Sequence, residues 1–229
     1  QGEGVFETAI DSLLVGRSDC PHEGRMPTLY RPALCVIAQG CKEVRLGSEV
    51  YRYDELNLLV VSVTLPVSGQ VIEASPEKPY LSIRLDIDPG ELTRLIAEAG
   101  LAGSAPRPAS RGIYLQRLDC TVLDALLRLM RLLDTPRDIE MLAPLFVREI
   151  LYRLLRGPQG HLLHDLAMTD SQTHRVTRAI EWLNRNYDKS LRIEDLAREV
   201  NLSVSTLHHR FKEVTALSPL QYQQQLRLQ

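Results

Sequence analysis

The chain has 229 residues, four cysteines and a formal net charge of −2, with 44% hydrophobic and 24% charged residues. These proportions are typical of a soluble globular protein with room for one large domain or two modest ones. No apolar run is long enough to span a membrane, and the N-terminal segment lacks the core of a signal peptide. The cysteines show no C-x-x-C spacing, which argues against a zinc site or a disulfide scaffold and makes a reducing cytoplasm the simplest compartment.

The charge is unevenly distributed along the chain. Residues 172–229 hold nine Lys/Arg and six Asp/Glu, whereas residues 1–171 hold eighteen Lys/Arg and twenty-three Asp/Glu. A basic segment beside an acidic one is typical of a DNA-binding module joined to a domain with another role.

Short apolar runs broken by Gly, Pro, Asp and Ser predict strands over residues 8–88. The clearest unit is 42–53, in which two alternating runs flank Gly47-Ser48, a pair suited to a type II′ hairpin turn. Further predicted strands are 33–38, 56–63, 68–74 and 80–87. About six to eight such strands, with no helical pattern between them, indicate an antiparallel sandwich or barrel.

Helical patterns follow the strands. We predict a short helix over 91–99, a loop over 101–118, and two longer helices over 120–133 and 138–155. The two longer helices have apolar faces wide enough to cover the barrel and also to meet a second subunit. The alternative is that both helices only cover the barrel.

Residues 161–172 are predicted to be an interdomain linker with one short helical turn. This stretch contains His161 and His164, three residues apart, beside Asp165. Such a pair without further ligands is more often surface decoration than a metal site.

Residues 192–214 predict two short helices joined by a tight turn. The first helix has an apolar stripe of Leu196, Ala197 and Val200. Asn201 tolerates the left-handed conformation of a sharp helix exit, and Ser203 is a good N-cap for the second helix. The buried face of that second helix is predicted to hold Leu207, Phe211 and Val214. This pattern indicates a helix-turn-helix, whose second helix enters the DNA major groove, or alternatively an ordinary helical hairpin.

A third helix begins at the capping box Ser218-Pro219-Leu220-Gln221. With that helix, residues 174–229 resemble the first half of the AraC-family DNA-binding domain. The matching residues are Ile180, Leu183, Ile193-Glu194-Asp195-Leu196-Ala197, Ser203, Leu207, Phe211-Lys212, Ser218-Pro219 and Tyr222. One family feature is absent, because Arg192 stands where a Ser or Thr N-cap is expected.

The strand region resembles the N-terminal domain of one AraC-family branch. The matching residues are Tyr30, Pro32, Leu34-Cys35-Val36, Gln39-Gly40, Lys42, Gly47, Tyr51, Tyr53, Pro66-Val67-Ser68-Gly69, Ala74-Ser75-Pro76 and Pro79-Tyr80. The resemblance implies a bacterial transcriptional regulator of the α+β class. Its N-terminal cupin-like antiparallel β-barrel would carry a C-terminal helical dimerisation hairpin, followed by an all-α helix-turn-helix domain.

The resemblance also divides the chain. Residues 1–160 would be the cupin-like sensor and dimerisation domain, with the barrel at about 8–88 and helices at about 89–156. Residues 161–172 would be the linker, and 173–229 the first half of the helix-turn-helix domain. Family members carry a second helix-turn-helix, and this chain stops inside the helix that begins at Pro219. We therefore expect the domain to be truncated.

For DNA, we predict base contacts from Ser205, His208 and His209, which lie on the face opposite Leu207 and Phe211. In the family, the matching positions point into the major groove, and histidine can donate to guanine N7 or O6. The alternative is an exposed helix surface without a role. Phosphate contacts are predicted for Arg175, Arg178, Arg210 and Lys212.

For sensing, the barrel interior is the predicted pocket for a small-molecule effector. Cys35 and Arg84 lie on predicted strands. If Arg84 faces inward it can meet an anionic ligand, and Cys35 can be a redox-sensitive thiol. The plainer alternatives are that Cys35 is a small buried apolar residue and that Arg84 lies on the outer face.

The leading hypothesis is thus a homodimeric regulator that binds promoter DNA, contacts RNA polymerase if it is an activator, and requires no membrane or cofactor. A second hypothesis is a cupin-like metal-dependent enzyme with an accessory helical domain. It lacks support because the strand region holds only His22 and no His-x-His pair. A third is an effector-independent regulator controlled by a protein partner.

Overall fold

The computed structural model describes residues 2–101, 111–167 and 172–228. Its N-terminal part consists of ten antiparallel strands, which we call the sheet domain. The strands are β1 Gly4–Glu7, β2 Leu13–Ser18, β3 Met26–Tyr30, β4 Ala33–Gln39, β5 Cys41–Leu46, β6 Glu49–Tyr53, β7 Asn57–Val61, β8 Leu65–Glu73, β9 Tyr80–Asp86 and β10 Ile113–Arg117.

The strands pair into two sheets. One has six strands in the order β1-β2-β9-β4-β7-β10, and the other has four in the order β3-β8-β5-β6. Both sheets contribute side chains to one hydrophobic core. β4 is buried from Ala33 to Ile37 because the core lies against both of its faces. The predicted α+β architecture with antiparallel strands is confirmed, although the strands described form two sheets and no single closed barrel.

The predicted hairpin forms between β5 and β6, with Lys42 opposite Tyr53 and Leu46 opposite Glu49. Gly47 has a φ of +57°, and Ser48 is not among the residues with positive φ. A positive φ at the first turn residue alone is what a type II′ turn requires. Glycine at this position therefore fixes the turn, and with it the register of the two strands.

The first helix lies between β9 and β10, and three more α-helices follow β10 before the C-terminal part. They are α1 Pro89–Glu98, α2 Cys120–Arg131, α3 Ile139–Arg156 and α4 Gly160–Ala167. Asp88 caps α1 by accepting from the Gly90 N–H at 2.8 Å, and Asp119 caps α2 by accepting from Thr121 N–H at 2.8 Å. The three predicted helices are thus confirmed to within a few residues.

Two predictions need correction. The loop predicted over 101–118 contains β10, which pairs along its whole length with β7. Residues 102–110 of that loop lie outside the described residues. The helical turn predicted within the linker is the two-turn helix α4, but its His164, predicted to be on the surface, is buried. The His164 Nε2 atom lies 3.1 Å from the carbonyl oxygen of Leu101, so burial of the ring is compensated by a hydrogen bond.

The C-terminal part, which we call the helix-turn-helix module, is all helical. Its helices are α5 Gln172–Arg185, α6 Ile193–Glu199, α7 Val204–Thr215 and α8 Pro219–Leu226. The side chains that form its core are Val176, Ile180, Leu183, Leu196, Leu207, Phe211, Val214 and Tyr222, each 0% exposed. Across the described ranges, no helix has the length and apolarity needed to cross a bilayer.

Candidate nucleic-acid interface and interior cavity

The turn between α6 and α7 has the predicted geometry. Asn201 adopts a φ of +53°, and the Leu202 N–H donates to the Ala197 carbonyl at 2.9 Å to close the corner. The Ser203 hydroxyl accepts from the Thr206 N–H at 3.1 Å, as expected of an N-cap. The start and direction of α7 are therefore fixed by local hydrogen bonds.

The polar face predicted on α7 is present. Ser205, His208 and His209 are exposed, whereas Leu207 and Phe211 are buried on the opposite side. The Phe211 ring packs edge-to-face on Tyr222 of α8, with ring centroids 5.4 Å apart and planes at 86°. This packing holds α7 against the module core and turns the three predicted base-contacting residues outward together.

The cations predicted for phosphate contact differ in their surroundings. Lys212 is exposed, and Arg175 is half-buried. Arg178 donates to the Glu199 carbonyl at 3.1 Å. The Arg210 guanidinium pairs with Glu213 at 2.8 Å, and His209 Nε2 lies 3.2 Å from the same carboxylate. A phosphate would therefore compete with Glu213 for Arg210, whereas the ammonium of Lys212 is presented to solvent.

Arg111 belongs to no motif in the sequence, and it joins the sheet domain to the end of α7. Its Nη1 donates to the Lys212 carbonyl at 2.6 Å and also to the Glu213 carbonyl, and its Nη2 pairs with Glu49 of β6 at 2.5 Å. The Lys212 carbonyl also accepts from the Ala216 N–H at 3.0 Å, and a cation at a helix C-terminus interacts favourably with the carbonyls of the last turn.

Further contacts extend this junction. The Gly112 N–H donates to the Val214 carbonyl at 2.9 Å, and the Tyr222 hydroxyl donates to the Thr64 carbonyl at 2.9 Å. The β5–β6 turn also touches the module, because a Cβ at Gly47 would lie 3.3 Å from the Leu217 side chain. The helix-turn-helix module is therefore docked on the sheet domain through α7 and α8, away from the exposed face of α7.

The sheet domain contains a partly open cavity of about 250 Å³ between its two sheets. Cys35 and Arg84, predicted as effector-binding residues, are direct partners across β4 and β9, and both line this cavity. The other residues that line it are Val5, Leu14, Val15, Gly16, His22, Met26, Thr28, Tyr30, Lys42, Tyr53, Gly69, Tyr80, Ser82 and Ile83. Mostly apolar walls with a few polar groups are typical of small-molecule sites.

Two groups in the cavity have altered acidity. Burial raises the pKa of the Cys35 thiol, although Lys42 and Arg84 oppose this, so the thiol is protonated at neutral pH. The pKa of the Lys42 ammonium is also raised: burial disfavours its charge, but the neighbouring oxygens of Tyr30 and Tyr80 favour it more strongly. The cavity therefore presents a neutral thiol and a positive ammonium.

Among the residues that the structure describes, no three His, Cys, Asp or Glu side chains are grouped as metal ligands. The free thiols include the buried Cys35 and Cys41 and the exposed Cys20 and Cys120.

A sheet domain with an interior cavity, joined to a module that exposes a recognition helix, defines a helix-turn-helix transcriptional regulator. The model of the AraC-type transcriptional regulator N-terminus matches residues 9–162, and that of the bacterial regulatory helix-turn-helix proteins of the AraC family matches residues 183–224. The chain belongs to the AraC family. Because this is a family of transcriptional regulators, the enzyme hypothesis is set aside.

Similar proteins include the HTH-type transcriptional activator RhaS of Yersinia pestis bv. Antiqua (strain Angola), 29% identical over 117 residues. RhaS of Yersinia pseudotuberculosis serotype O:1b (strain IP 31758) is also 29% identical over 117 residues. In both cases the match covers 51% of this chain and 40% of the relative, so the chain matches about two-fifths of the length of these activators.

Two solved structures align with most of this chain at low TM-scores. Fatty-acid-bound ToxT from Vibrio cholerae strain SCE256 is 11% identical, with a TM-score of 0.43 over 93% of this chain and 95% of that one. The AraC-like activator CuxR is 16% identical, with a TM-score of 0.36 over 95% of this chain and 76% of that one. Neither likeness is close enough to support a statement about ligands.

Proposed function

We propose that this chain binds promoter DNA through α7 and changes its DNA occupancy when a small molecule enters the cavity of the sheet domain. The observation that carries the first half is the exposed polar face of α7 on a correctly capped helix-turn-helix. The cavity lined by Cys35 and Arg84 supports the second half.

In this proposal Ser205, His208 and His209 contact base edges in the major groove. A histidine N–H can donate to guanine N7 or O6, and a serine hydroxyl can donate or accept. Arg175, Arg178, Arg210 and Lys212 contact phosphates, which position the module without reading sequence. Arg210 would exchange Glu213 for a phosphate oxygen, a replacement of one charged partner by another.

The β5–β6 hairpin is the proposed route from cavity to DNA. Lys42 and Tyr53 lie opposite each other at one end of the hairpin and line the cavity. Glu49 and Gly47, at the other end, contact Arg111 and Leu217. A ligand that moves the first end changes the docking of the helix-turn-helix module at the second. The effector then shifts the populations of docked and released modules.

We further propose that the protein is a cytoplasmic homodimer that pairs through α2 and α3, that residues 161–172 connect its two parts, and that it contacts RNA polymerase if it activates transcription. Apolar side chains remain exposed on both helices: Leu123, Leu127, Met141, Leu142, Leu145 and Tyr152. An exposed apolar patch on adjacent helices supports a protein–protein contact.

The test is a selection of bound duplexes from a random DNA pool, followed by affinity measurements with and without candidate small molecules. Enrichment of one sequence, with an affinity that a small molecule changes, is the expected result. A chain that enriches no sequence contradicts the DNA-binding half. Enrichment that no small molecule changes, but that a copurifying protein does, supports control by a protein partner.

A further inference from the structure

Lys42 places a positive charge in the cavity of the sheet domain, and no carboxylate of the described residues pairs with it. Lys42 projects from β5 into the cavity, where its ammonium lies 5.6 Å from the centre of the Tyr30 ring. The Lys42 side chain is half-buried and is one of the residues that line the cavity. Its stem passes over Gly69, since a Cβ there would lie 3.2 Å from Lys42 Cε.

The other cation in the cavity is already neutralised. Arg84 pairs with Asp86 through its Nε at 2.7 Å and also lies 6.0 Å from the Tyr30 ring. By contrast, no Asp or Glu of the described chain comes within 4.0 Å of the Lys42 ammonium, and no carboxylate is among the residues that line the cavity. Asp86 therefore neutralises Arg84, whereas Lys42 has no counter-ion among the described residues.

A half-buried ammonium without a carboxylate partner has no counter-ion. The Tyr30 ring and the oxygens of Tyr30 and Tyr80 favour the charged form of Lys42, but none of these groups neutralises it. Lysine has three N–H donors and no acceptor, so the chemistry that completes its environment is a group rich in acceptor oxygens and negative charge.

We propose that the cavity is a receptor site for a small organic monocarboxylate, with the Lys42 ammonium as the group that binds the carboxylate. This inference rests on the proposed sensing function and names its ligand class. Tyr30 and Tyr80 line the same cavity, where their hydroxyls can donate to the second carboxylate oxygen, and the apolar wall from Leu14, Val15 and Ile83 receives the remainder of the ligand.

The volume limits the size of the ligand. A cavity of about 250 Å³ corresponds to roughly eight water molecules at about 30 Å³ each. A six-carbon fatty acid or a single-ring aromatic acid is small enough for this space. Hexanoate and benzoate are therefore suitable probes, and hexanamide and benzamide are their uncharged counterparts of nearly the same shape.

The experiment measures the dissociation constants of the four probes by calorimetry and their effect on the melting temperature of the chain. Lys42→Met removes the charge and keeps the length of the side chain, while Lys78→Met makes the same change at an exposed lysine. We expect at least one carboxylate to bind about tenfold or more tightly than its amide, because hydrogen bonds to charged groups are the stronger ones. This preference should disappear in Lys42→Met and persist in Lys78→Met.

The possible results distinguish an error in the proposed ligand class from an error in the proposed sensing function. Amides that bind as tightly as carboxylates would show that the cavity is an effector site but that the anionic class is wrong. A preference that survives Lys42→Met would place the carboxylate elsewhere. Binding of none of the four probes would overturn the monocarboxylate proposal, while the DNA selection described above still decides the regulatory function. The melting temperature of Lys42→Met without probe establishes that the variant is folded.

Discussion

The two adjacent histidines on α7 provide the sharpest test at the scale of single residues. We expect His208→Ala and His209→Ala each to weaken binding to a selected duplex about tenfold, because a good base contact contributes about 1–3 kcal/mol of discrimination. Binding to a scrambled duplex should change little. Fluorescence anisotropy at fixed salt measures both affinities, with Gln224→Ala on exposed α8 surface as the control. Equal losses on both duplexes would contradict base readout.

At the same scale, the sequence identified some cavity residues and missed others. Cys35 was placed on a strand by its apolar neighbours, and Arg84 by the alternation of its strand, but neither pattern says which face meets the cavity. Lys42 was missed because a lysine on an alternating strand ordinarily points to solvent. Only the pairing of the two sheets shows that it points inward. Arg111 was missed because its partners are backbone carbonyls about a hundred residues away.

At the scale of secondary-structure elements, the two helices of the helix-turn-helix differ in how they begin. Ser203 caps α7 through its hydroxyl, whereas Arg192 at the start of α6 makes no side-chain cap. We expect Ser203→Ala to lower the free energy of unfolding by about 1 kcal/mol and Arg192→Ser to raise it by about 0.5–1 kcal/mol. Urea denaturation of the chain measures both. A stabilising Ser203→Ala would show that the cap is unimportant here.

The apolar surface on α3 gives a second prediction at this scale. Met141 is 75% exposed and Leu145 is 58% exposed, one turn apart on the same helix face. We expect Met141→Glu combined with Leu145→Glu to convert the proposed dimer to monomer, because like charges would face each other across a two-fold contact. Sedimentation equilibrium measures the mass. The matched control is Leu220→Glu on α8, which is 54% exposed, and loss of the dimer in that control would point to a different interface.

Helices and strands could be predicted from the sequence to different degrees. The helices were found because apolar residues recur at helical spacing, and α7 and α8 also because Ser203 and Ser218 are caps. β10 was not found, because it follows a Gly- and Pro-rich stretch and is defined by its pairing with β7. The division of the strands into two sheets likewise depends on pairings between distant segments, which a single sequence does not display.

At the scale of the whole molecule, the junction between the sheet domain and the helix-turn-helix module can be weakened at one residue. We expect Arg111→Met to increase amide hydrogen exchange at the C-terminal end of α7 and to lower the unfolding free energy by about 1 kcal/mol, because three hydrogen bonds of a half-exposed side chain are lost. Arg31→Met, at an exposed arginine, is the control. Unchanged exchange in α7 would indicate that Arg111 does not hold the module.

Glu49 offers a complementary measurement at this scale. If Glu49 acts through Arg111, the effects of Glu49→Gln and Arg111→Met on unfolding should be less than additive, with a coupling of about 0.5–1 kcal/mol in a double-mutant cycle. The same variants should alter DNA affinity in the absence of any small molecule, since the docked population falls. Additive effects on stability and an unchanged DNA affinity would separate this contact from regulation.

The β5–β6 hairpin has a consequence for how such a protein can diverge. One short ribbon forms part of the cavity wall at Lys42 and Tyr53 and part of the module contact at Gly47 and Glu49. Under the proposed coupling, ligand choice and basal output are not independent traits. A substitution that adapts the cavity to a new compound would also disturb the resting state, so a biosensor built from this scaffold would need compensating changes at the turn end of the same hairpin.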